Sequence, residues 1–207
     1  LFPQFGTSNR SGGDILVPFF WAVRDNVNLT LEPQYQMKRG FKPGARLEYV
    51  YGETAAGELY GTYINDQEVD PNSTSTPFGR DRWGAIWQHK QELPFSGGMA
   101  VDAGAVSDNQ MPFDFSDFRQ FRRNRFLESS GWAGTHFTGG TSRFAMAAAG
   151  QSADDLQNPD DQDRDDFLLQ RLPALDADVM AGRTPGIPGL IVSSGVQFVN
   201  YQPFGDP

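Results

Sequence analysis

The carboxylates of Asp114 and Asp117 stand three positions apart in the stretch MPFDFSDF, and they are a pair of side chains that could perform chemistry. Two carboxyl groups that converge in a cleft are what a glycoside hydrolase uses to cleave a sugar bond. In this stretch each carboxylate lies beside phenylalanines, namely Phe113, Phe115 and Phe118. We therefore expect the aromatic side chains and the carboxylates to anchor a loop, and an enzyme that acts on carbohydrates stays an alternative.

Few other side chains form a catalytic or metal-binding pattern. The two histidines, His89 and His136, fall on different predicted strands, and the sequence has neither a G-x-S-x-G motif nor the spacing of metal ligands. The chain contains no cysteine, so it has no disulfide framework and no thiolate metal site. The sequence thus predicts no catalytic residue, no metal and no cofactor.

Two polar segments carry runs of opposite charge. The acidic run at residues 154–166 could bind divalent cations, but it lacks the glycine-centred spacing of an EF-hand and favours a solvated loop. The basic run RQFRRNR contains Arg119, Arg122, Arg123 and Arg125. These arginines could face an anionic substrate, or they could pair with the acidic segment, and the sequence leaves both alternatives open.

Composition and charge narrow the class of protein. The 23 glycines and 14 prolines among 207 residues indicate many turns rather than long helices. A net charge of −9 argues against nonspecific binding to nucleic acid. No apolar stretch reaches the roughly 18 residues of a transmembrane helix, whereas a transmembrane strand needs only about 9–11. The chain has no signal peptide and starts on residues typical of a strand, so we expect it to be part of a longer protein.

Hydrophobic periodicity predicts an all-β protein. Residues 27–38 alternate apolar and polar side chains without interruption, which is long for a strand of a soluble protein. Weaker alternation recurs at about 45–51, 82–90 and 99–105. The predicted strands, eleven in all, cover about residues 2–9, 13–23, 27–38, 41–51, 57–65, 82–93, 98–107, 126–137, 142–151, 169–181 and 189–202.

The lengths of the connections indicate how these strands are arranged. Links after every second strand are short and turn-like, whereas the links between them include three long polar segments, at about 66–81, 108–125 and 152–168. In an up-and-down meander every second connection emerges at the same end, so the long loops share one rim. Short periplasmic turns and long extracellular loops are typical of outer-membrane barrels. A soluble β-sandwich could show the same alternation.

The two parities of each strand would then face different surroundings. Apolar residues would face lipid, because a charge at the middle of the bilayer costs about 2–4 kcal/mol. Aromatic residues near the strand ends would form girdles: Phe19, Phe20, Trp21, Tyr49, Tyr51, Trp83 and Trp87. In a sandwich, the same apolar residues would form the core instead. The polar residues predicted to face the barrel lumen are Glu32, Arg46, Glu48, Arg82, Lys90 and Asp102.

Several stretches resemble a known family. They are FPQFGTSNRSG, ILVPFFWAVRDNVNLTLEPQYQMKRG, ARLEYVYG, RWGAIWQHKQEL, and VDAGAVSDN followed by FDF. In this order and spacing they resemble the barrel domain of the lipopolysaccharide-assembly proteins of the Gram-negative outer membrane, the LptD/OstA family. The resemblance runs from the first residue to about 118. Beyond about 126 it is reduced to strand and loop character and the piece QRLPALDA.

The resemblance implies a large closed antiparallel barrel that is plugged by a lipoprotein partner. Lipopolysaccharide would arrive from a periplasmic bridge through an N-terminal jelly-roll domain, then pass through the lumen and a lateral gate into the outer leaflet. We expect residues 1–207 to be one part of such a barrel domain, without the jelly-roll domain and unable to close by itself. The alternative within the same fold is a general porin-like channel.

Two prolines carry the predicted gate. Proline has no N–H to donate to a β-ladder, yet Pro18 interrupts the apolar stretch LVPFFW. A tight turn that pairs Asn9 with Gly12 would place Pro3 opposite Pro18. Family members carry prolines at matching positions beside the seam between the first and last strands, which implies that Pro3 and Pro18 form the lateral gate. Pro33 also resembles a family proline and is expected to be a tolerated irregularity.

Overall fold

The protein is almost entirely β-structure in the part of the chain that its computed structural model describes, residues 2–70, 78–118, 125–156, 169–181 and 190–203. The helical elements there are α1 at Met111–Asp114 and a 3₁₀ turn at Ser116–Phe118. The strands are β1 (Gln4–Ser8), β2 (Gly12–Leu16), β3 (Phe19–Arg24), β4 (Val27–Leu31), β5 (Gln34–Gln36), β6 (Gly40–Lys42), β7 (Gly44–Tyr51), β8 (Ala55–Asn65), β9 (Asp81–Leu93), β10 (Gly97–Val106), β11 (Phe126–Gly139), β12 (Ser142–Asp155), β13 (Leu169–Ala181) and β14 (Val192–Pro203).

The strands form two antiparallel sheets. The large sheet has the order β14-β13-β12-β11-β10-β9-β8-β7-β4-β3, and the small sheet has the order β1-β2-β5-β6. Within the described residues, β14 pairs only with β13, and β1 pairs only with β2. The predicted fold class is confirmed: the chain is an antiparallel up-and-down sheet that does not close by itself.

Three of the eleven predicted strands divide between the two sheets. The stretch predicted at 13–23 forms β2 and β3, that at 27–38 forms β4 and β5, and that at 41–51 forms β6 and β7. Each of these chain passes keeps one register through both sheets, as the pairs Ile15 with Tyr35 and Phe20 with Thr30 illustrate. The passes are therefore single long strands, each interrupted at one point.

The long connections share one end of the large sheet. Because neighbouring strands are antiparallel, the links after β8, β10 and β12 leave the same end, which we call the loop end. The short links at 25–26, 52–54, 94–96 and 140–141 leave the opposite end, which we call the turn end. The predicted alternation of long and short connections is thus confirmed.

A small apolar core lies at the loop end. There α1 and the 3₁₀ turn pack against β8 and β9, and their fit is close: a Cβ on Gly84 would overlap the ring of Phe118. The core consists of Tyr60, Ile64, Met111, Phe115 and Phe118. Among the described residues, no helix is both long enough and apolar enough to cross a membrane.

The opposite face of the large sheet, which we call the outer face, exposes large apolar side chains. Leu59 is 44% exposed and Trp83 is 45% exposed, and the register places both on this face. A β-sandwich would cover such a face with a second sheet. In the described part of the chain, no second layer packs on it. Of the aromatic residues predicted to form girdles, Phe20 alone lies on the other parity, because it pairs with Thr30.

Candidate functional site: a proline line and a buried strap

Pro18, Pro33 and Pro43 stand where three neighbouring chain passes leave the large sheet for the small one. Pro18 lies between β2 and β3, Pro33 between β4 and β5, and Pro43 between β6 and β7. The register that the two sheets share places Pro33 opposite Pro43 and Val17 opposite Pro33. We call this row across the strands the proline line.

Each proline removes one hydrogen bond from the ladder, while the neighbouring bonds persist. The N–H of Val17 donates to the carbonyl of Pro33 at 3.1 Å, and the N–H of Tyr63 donates to the carbonyl of Pro43 at 3.1 Å. Glu32 and Gly44 exchange two bonds, at 2.7 and 3.2 Å. Proline can only accept at these positions. The ladder is therefore continuous but thinned along the proline line.

The predicted register of the first hairpin is wrong by one residue. Ser8, not Asn9, pairs with Gly12, so continuing the ladder beyond Gln4 and Leu16 brings Pro3 beside Val17 rather than Pro18. The reason is the turn. Gly12 has a φ of +69°, a left-handed conformation that ends a turn of three residues where two were expected. Pro3 and Pro18 are thus diagonal neighbours, and their role as a gate stays a prediction.

Successive residues of a strand direct their backbone groups to opposite sides. Because the N–H of Val17 points to β5, the nitrogen of Pro18 faces the β1 side. Pro18 therefore removes a donor from the first hairpin itself, whereas Pro33 and Pro43 remove donors further into the sheet. Pro33 occupies the middle of this line, and its reading as a tolerated irregularity stays a prediction.

A segment of the connection after β10 folds back over both sheets. We call residues 111–118, which comprise α1 and the 3₁₀ turn, the strap. Asp114 accepts a hydrogen bond from Arg82 of β9, and Asp117 accepts one from Lys42 of β6. The expectation that these two carboxylates anchor a loop is confirmed. They do so through ion pairs to strands, not only through the phenylalanines beside them.

Arg82 is the centre of a buried ionic cluster. Its side chain is 1% exposed, and it donates to Asp108 at 2.8 and 3.0 Å, to Asp66 at 3.0 Å and to Asp114 at 2.8 Å. Arg39 adds contacts of 2.8 Å to Asp66 and 3.3 Å to Asp114. Burying a guanidinium is costly unless carboxylates surround it. Here two buried arginines meet three aspartates, and the exposed Arg10 lies 3.7 Å from Asp114, so every carboxylate of the cluster has a cationic partner.

The charges of this cluster also act on the strap. Burial by itself would raise the pKa of the Asp114 carboxyl, and this is the largest single influence on it. The hydrogen bond from Arg82 and the positive charges of Arg39 and Arg82 outweigh burial and lower the pKa of Asp114 below its ordinary value. Asp114 is therefore held as a carboxylate, the form that pairs with both arginines.

The six residues predicted to face the lumen share one face, which we call the polar face. The registers carry this face across the sheet, for instance from Glu48 through Gln88 to Asp102. Arg46 bridges two carboxylates on it, donating to Glu58 and lying 3.6 Å from Glu32. Arg82 and Lys90 belong to the same parity of β9. That this face lines the lumen of a closed barrel stays a prediction.

An open cavity of about 940 Å³ lies on the polar face, closer to the turn end. Its lining combines charged and amide side chains with one tryptophan, Trp132, whose side chain is 50% exposed. The polar side chains of the lining include Glu48, Glu58, Gln88, Lys90 and Asp102. The strap thus covers the polar face at the loop end, and the face is open towards the turn end.

Sequence relatives fit this arrangement. The LPS-assembly protein LptD of Alkalilimnicola ehrlichii is 30% identical over 192 residues, which are 91% of this chain. Those of Bordetella pertussis and Pseudomonas entomophila are 38% and 33% identical over 53% and 56% of it. This chain belongs to the LptD family.

The chain spans less than a quarter of the length of these LptD relatives. The three matches cover 22%, 13% and 12% of the lengths of those relatives. No family model matches the chain. The likeness to the Alkalilimnicola LptD extends well beyond residue 126, where the motifs that carry the resemblance become sparse.

The charged loops of this LptD segment are described only in part. Arg125 donates to Asp155 at 2.8 and 3.0 Å, which favours pairing with the acidic segment over contact with a substrate for this one arginine. Asp154 and Asp155 belong to β12 and not to a loop. Arg119, Arg122, Arg123 and most of the acidic run lie outside the described residues. In the described part, no group of three or more potential metal ligands occurs.

His89 lies on the outer face near the turn end, between two aromatic rings. Its Nδ1 is 2.9 Å from the Tyr49 hydroxyl, which also accepts a 3.3 Å hydrogen bond from Trp87. The centroid of the His89 ring lies 5.8 Å from that of Tyr49 and 6.0 Å from that of Trp87. A membrane interface favours aromatic side chains with a polar group of this kind.

Sequence analysis did not find the cluster around Arg82. Asp66, Asp108 and Asp114 lie 16, 26 and 32 residues from Arg82 along the chain, and no motif connects them. The sequence predicted Arg82 only as one of six polar residues that face the barrel lumen. One sequence feature could have indicated the cluster. Arg82 stands at the start of a strand, and aspartates occur in the two connections, after β8 and after β10, that leave the same end of the sheet.

Proposed function

We propose that this segment forms part of the wall of a lipopolysaccharide translocon in the outer membrane of a Gram-negative bacterium. The translocon passes lipopolysaccharide through its lumen and sideways into the outer leaflet. The observation that carries the proposal is the contrast between the two faces of one continuous sheet, charged on one side and rich in exposed aromatic and aliphatic side chains on the other. Relatives bearing the name LPS-assembly protein support it.

The polar face matches what an amphiphilic substrate needs. Sugars and phosphates require polar surroundings, whereas acyl chains belong in lipid, where backbone and side-chain polar groups have no water to bond to. Arg46 and Lys90 would each cost about 2–4 kcal/mol if they faced the middle of the bilayer, and the carboxylate of Asp102 would also be unfavourable there, at a smaller cost. We therefore assign the polar face to the lumen and the outer face to lipid, with the loop end outside the cell.

The lateral gate belongs to the first hairpin. Pro18 removes a donor between β1 and its neighbour, and Pro3 lies just before β1 on the open edge of the small sheet. In lipid, a lost ladder bond is not replaced by water. We propose that Pro3 and Pro18 keep this seam weak enough to part. The family relationship adds two partners to the proposal: a lipoprotein that plugs the lumen, and a periplasmic bridge that docks on a domain outside this chain.

A general porin-like channel is the second candidate. Such a channel would use the same charged polar face and apolar outer face, and the open cavity of about 940 Å³ favours it as far as shape is concerned. It would have no need for a proline line beside an edge strand. A carbohydrate-active enzyme is less well supported, because Asp114 and Asp117 are engaged in ion pairs instead of facing each other across a cleft.

The two candidates differ in what they let through. The full-length protein with its lipoprotein partner should be reconstituted into liposomes and supplied with lipopolysaccharide by the bridge proteins. We expect lipopolysaccharide to become accessible to an external modifying enzyme while entrapped small sugars stay inside. Rapid loss of sugars without transfer of lipopolysaccharide would contradict the proposal and favour a porin.

A further inference from the structure

We infer that the strap, residues 111–118, is a clasp that positions the small sheet against the large one, with Lys42 and Arg10 as its positioning residues. The small sheet contains the first hairpin, so the inference rests on the proposed function in so far as that hairpin is the gate. The clasp itself concerns only the contacts that hold the small sheet against the large one. It is independent of what is transported.

The strap is firmly attached to the large sheet. Met111 and Phe118 are fully buried and belong to the core formed with Tyr60 and Ile64 of β8. Arg82 of β9 donates a 2.8 Å hydrogen bond to Asp114 of the strap. Buried apolar packing stabilises this side of the strap, and separating it from the sheet would also leave the buried guanidinium of Arg82 without one of its carboxylates, which is costly.

Basic side chains of the small sheet and its turns hold the other side of the strap. Arg10, in the turn between β1 and β2, donates to the carbonyl of Phe113 and lies 3.7 Å from Asp114. Lys42 of β6 donates to Asp117, and its side chain is only 4% exposed. The guanidinium of Arg39 and the ammonium of Lys42 also lie over the ring of Phe115, at 5.1 and 5.6 Å from its centroid.

The location of the clasp follows from the proline line. Each proline thins the ladder where the chain passes from one sheet to the other, so this is where the small sheet can bend. The strap crosses from one side of that line to the other on the polar face. Movement of the small sheet away from the polar face must break the contacts of Arg10, Arg39 and Lys42, while the contacts of Arg82 stay. The strap therefore sets the position of the first hairpin.

Amide hydrogen exchange of the full-length protein in complex with its lipoprotein partner tests the clasp. The variant Arg10→Gln with Lys42→Met should raise exchange of residues 4–16 by at least about tenfold, because this hairpin opens locally. Exchange of residues 111–118 and of β8 should stay unchanged. The single variant Lys42→Arg should keep the exchange of residues 4–16 at the original level, because it retains a positive charge beside Asp117. Arg125→Gln is the matched control, since it breaks an exposed ion pair at the same end of the sheet.

A second variant guards against a folding defect caused by an unpaired Asp117. Lys42→Met combined with Asp117→Leu removes the bridge without leaving a buried charge, and it should raise exchange of residues 4–16 as well. Unchanged exchange of these residues in both variants would overturn the clasp, as would an equal rise throughout the large sheet. Delivery of lipopolysaccharide, measured in parallel, reports on the proposed function: faster exchange with unaltered delivery supports the clasp and contradicts a gate at this hairpin.

Discussion

Arg82 donates a 2.8 Å hydrogen bond to Asp114, which lies thirty-two residues further along the chain. This contact joins the start of β9 to the short helix α1 in the connection that follows the next strand, β10. It brings the strap onto the polar face and gives the buried guanidinium one of its three carboxylate partners. Much of the geometry of the loop end follows from it.

Replacing Arg82 by methionine should destabilise the barrel strongly. The substitution leaves Asp66, Asp108 and Asp114 close together without their common partner, and breaking a buried ion pair in this way costs about 3–5 kcal/mol. The measurement is the urea concentration at which the full-length barrel loses its folded, heat-modifiable form in gel electrophoresis. Arg125→Met is the control and should lower the midpoint far less, because its pair with Asp155 is exposed on the arginine side and screened by water. Equal effects of both variants would show that the cluster carries no special weight.

The pairing of Asp114 should make the loop end sensitive to acid. The folded protein lowers the pKa of Asp114, so the stabilisation is fully present above the ordinary pKa of an aspartate, about 3.9, and is lost as pH falls through the lower folded value. Asp114→Asn removes this contribution. The difference in unfolding midpoint between the two proteins should therefore be constant at neutral pH and shrink below about pH 4. A difference independent of pH over this range would contradict the assignment.

The two faces of the sheet should respond differently to an added charge. Leu59→Arg places a guanidinium on the outer face, with an expected cost of about 2–4 kcal/mol near the middle of the bilayer. Gln88→Arg places the same group on the exposed polar face of the neighbouring strand, where water is accessible. Assembly in the outer membrane, measured as the folded fraction, should fall for the first variant only. Similar folded fractions for both would mean that the outer face does not contact lipid.

Removing the two gate prolines should slow delivery and leave assembly intact. Pro3→Ala combined with Pro18→Ala restores two backbone donors beside the first hairpin, so the seam should part less readily. The measurement is the rate at which newly made lipopolysaccharide reaches the cell surface, at equal protein levels. Pro94→Ala, in a short connection at the turn end, is the control. Normal delivery in the double variant would return Pro18 to a structural role within the proline line.

Periodicity and connection length predicted the antiparallel succession of chain passes and the two faces of most strands, but not the division of three passes between two sheets or the face of Phe20. Side chains alternate along a strand with a period of two, so residues 27–38 reveal their faces from local sequence alone. In an up-and-down meander each strand pairs with the next one along the chain, so the order of the strands follows from the order of the sequence. The expectation that Asp114 and Asp117 anchor a loop also came from local composition.

Tertiary structure decided what depends on pairing between distant residues. Gly12 takes a left-handed conformation that shifts the first hairpin by one residue, and a register is a property of two strands together. Pro33 faces Pro43 only because their strands pair, so three separate prolines become one line. The cluster around Arg82 requires the loops after β8 and β10 to return to the same strand end. Charged residues so far apart in sequence become partners only in the folded protein. Folding removes them from water, and the opposite charges of the cluster then compensate for the lost hydration.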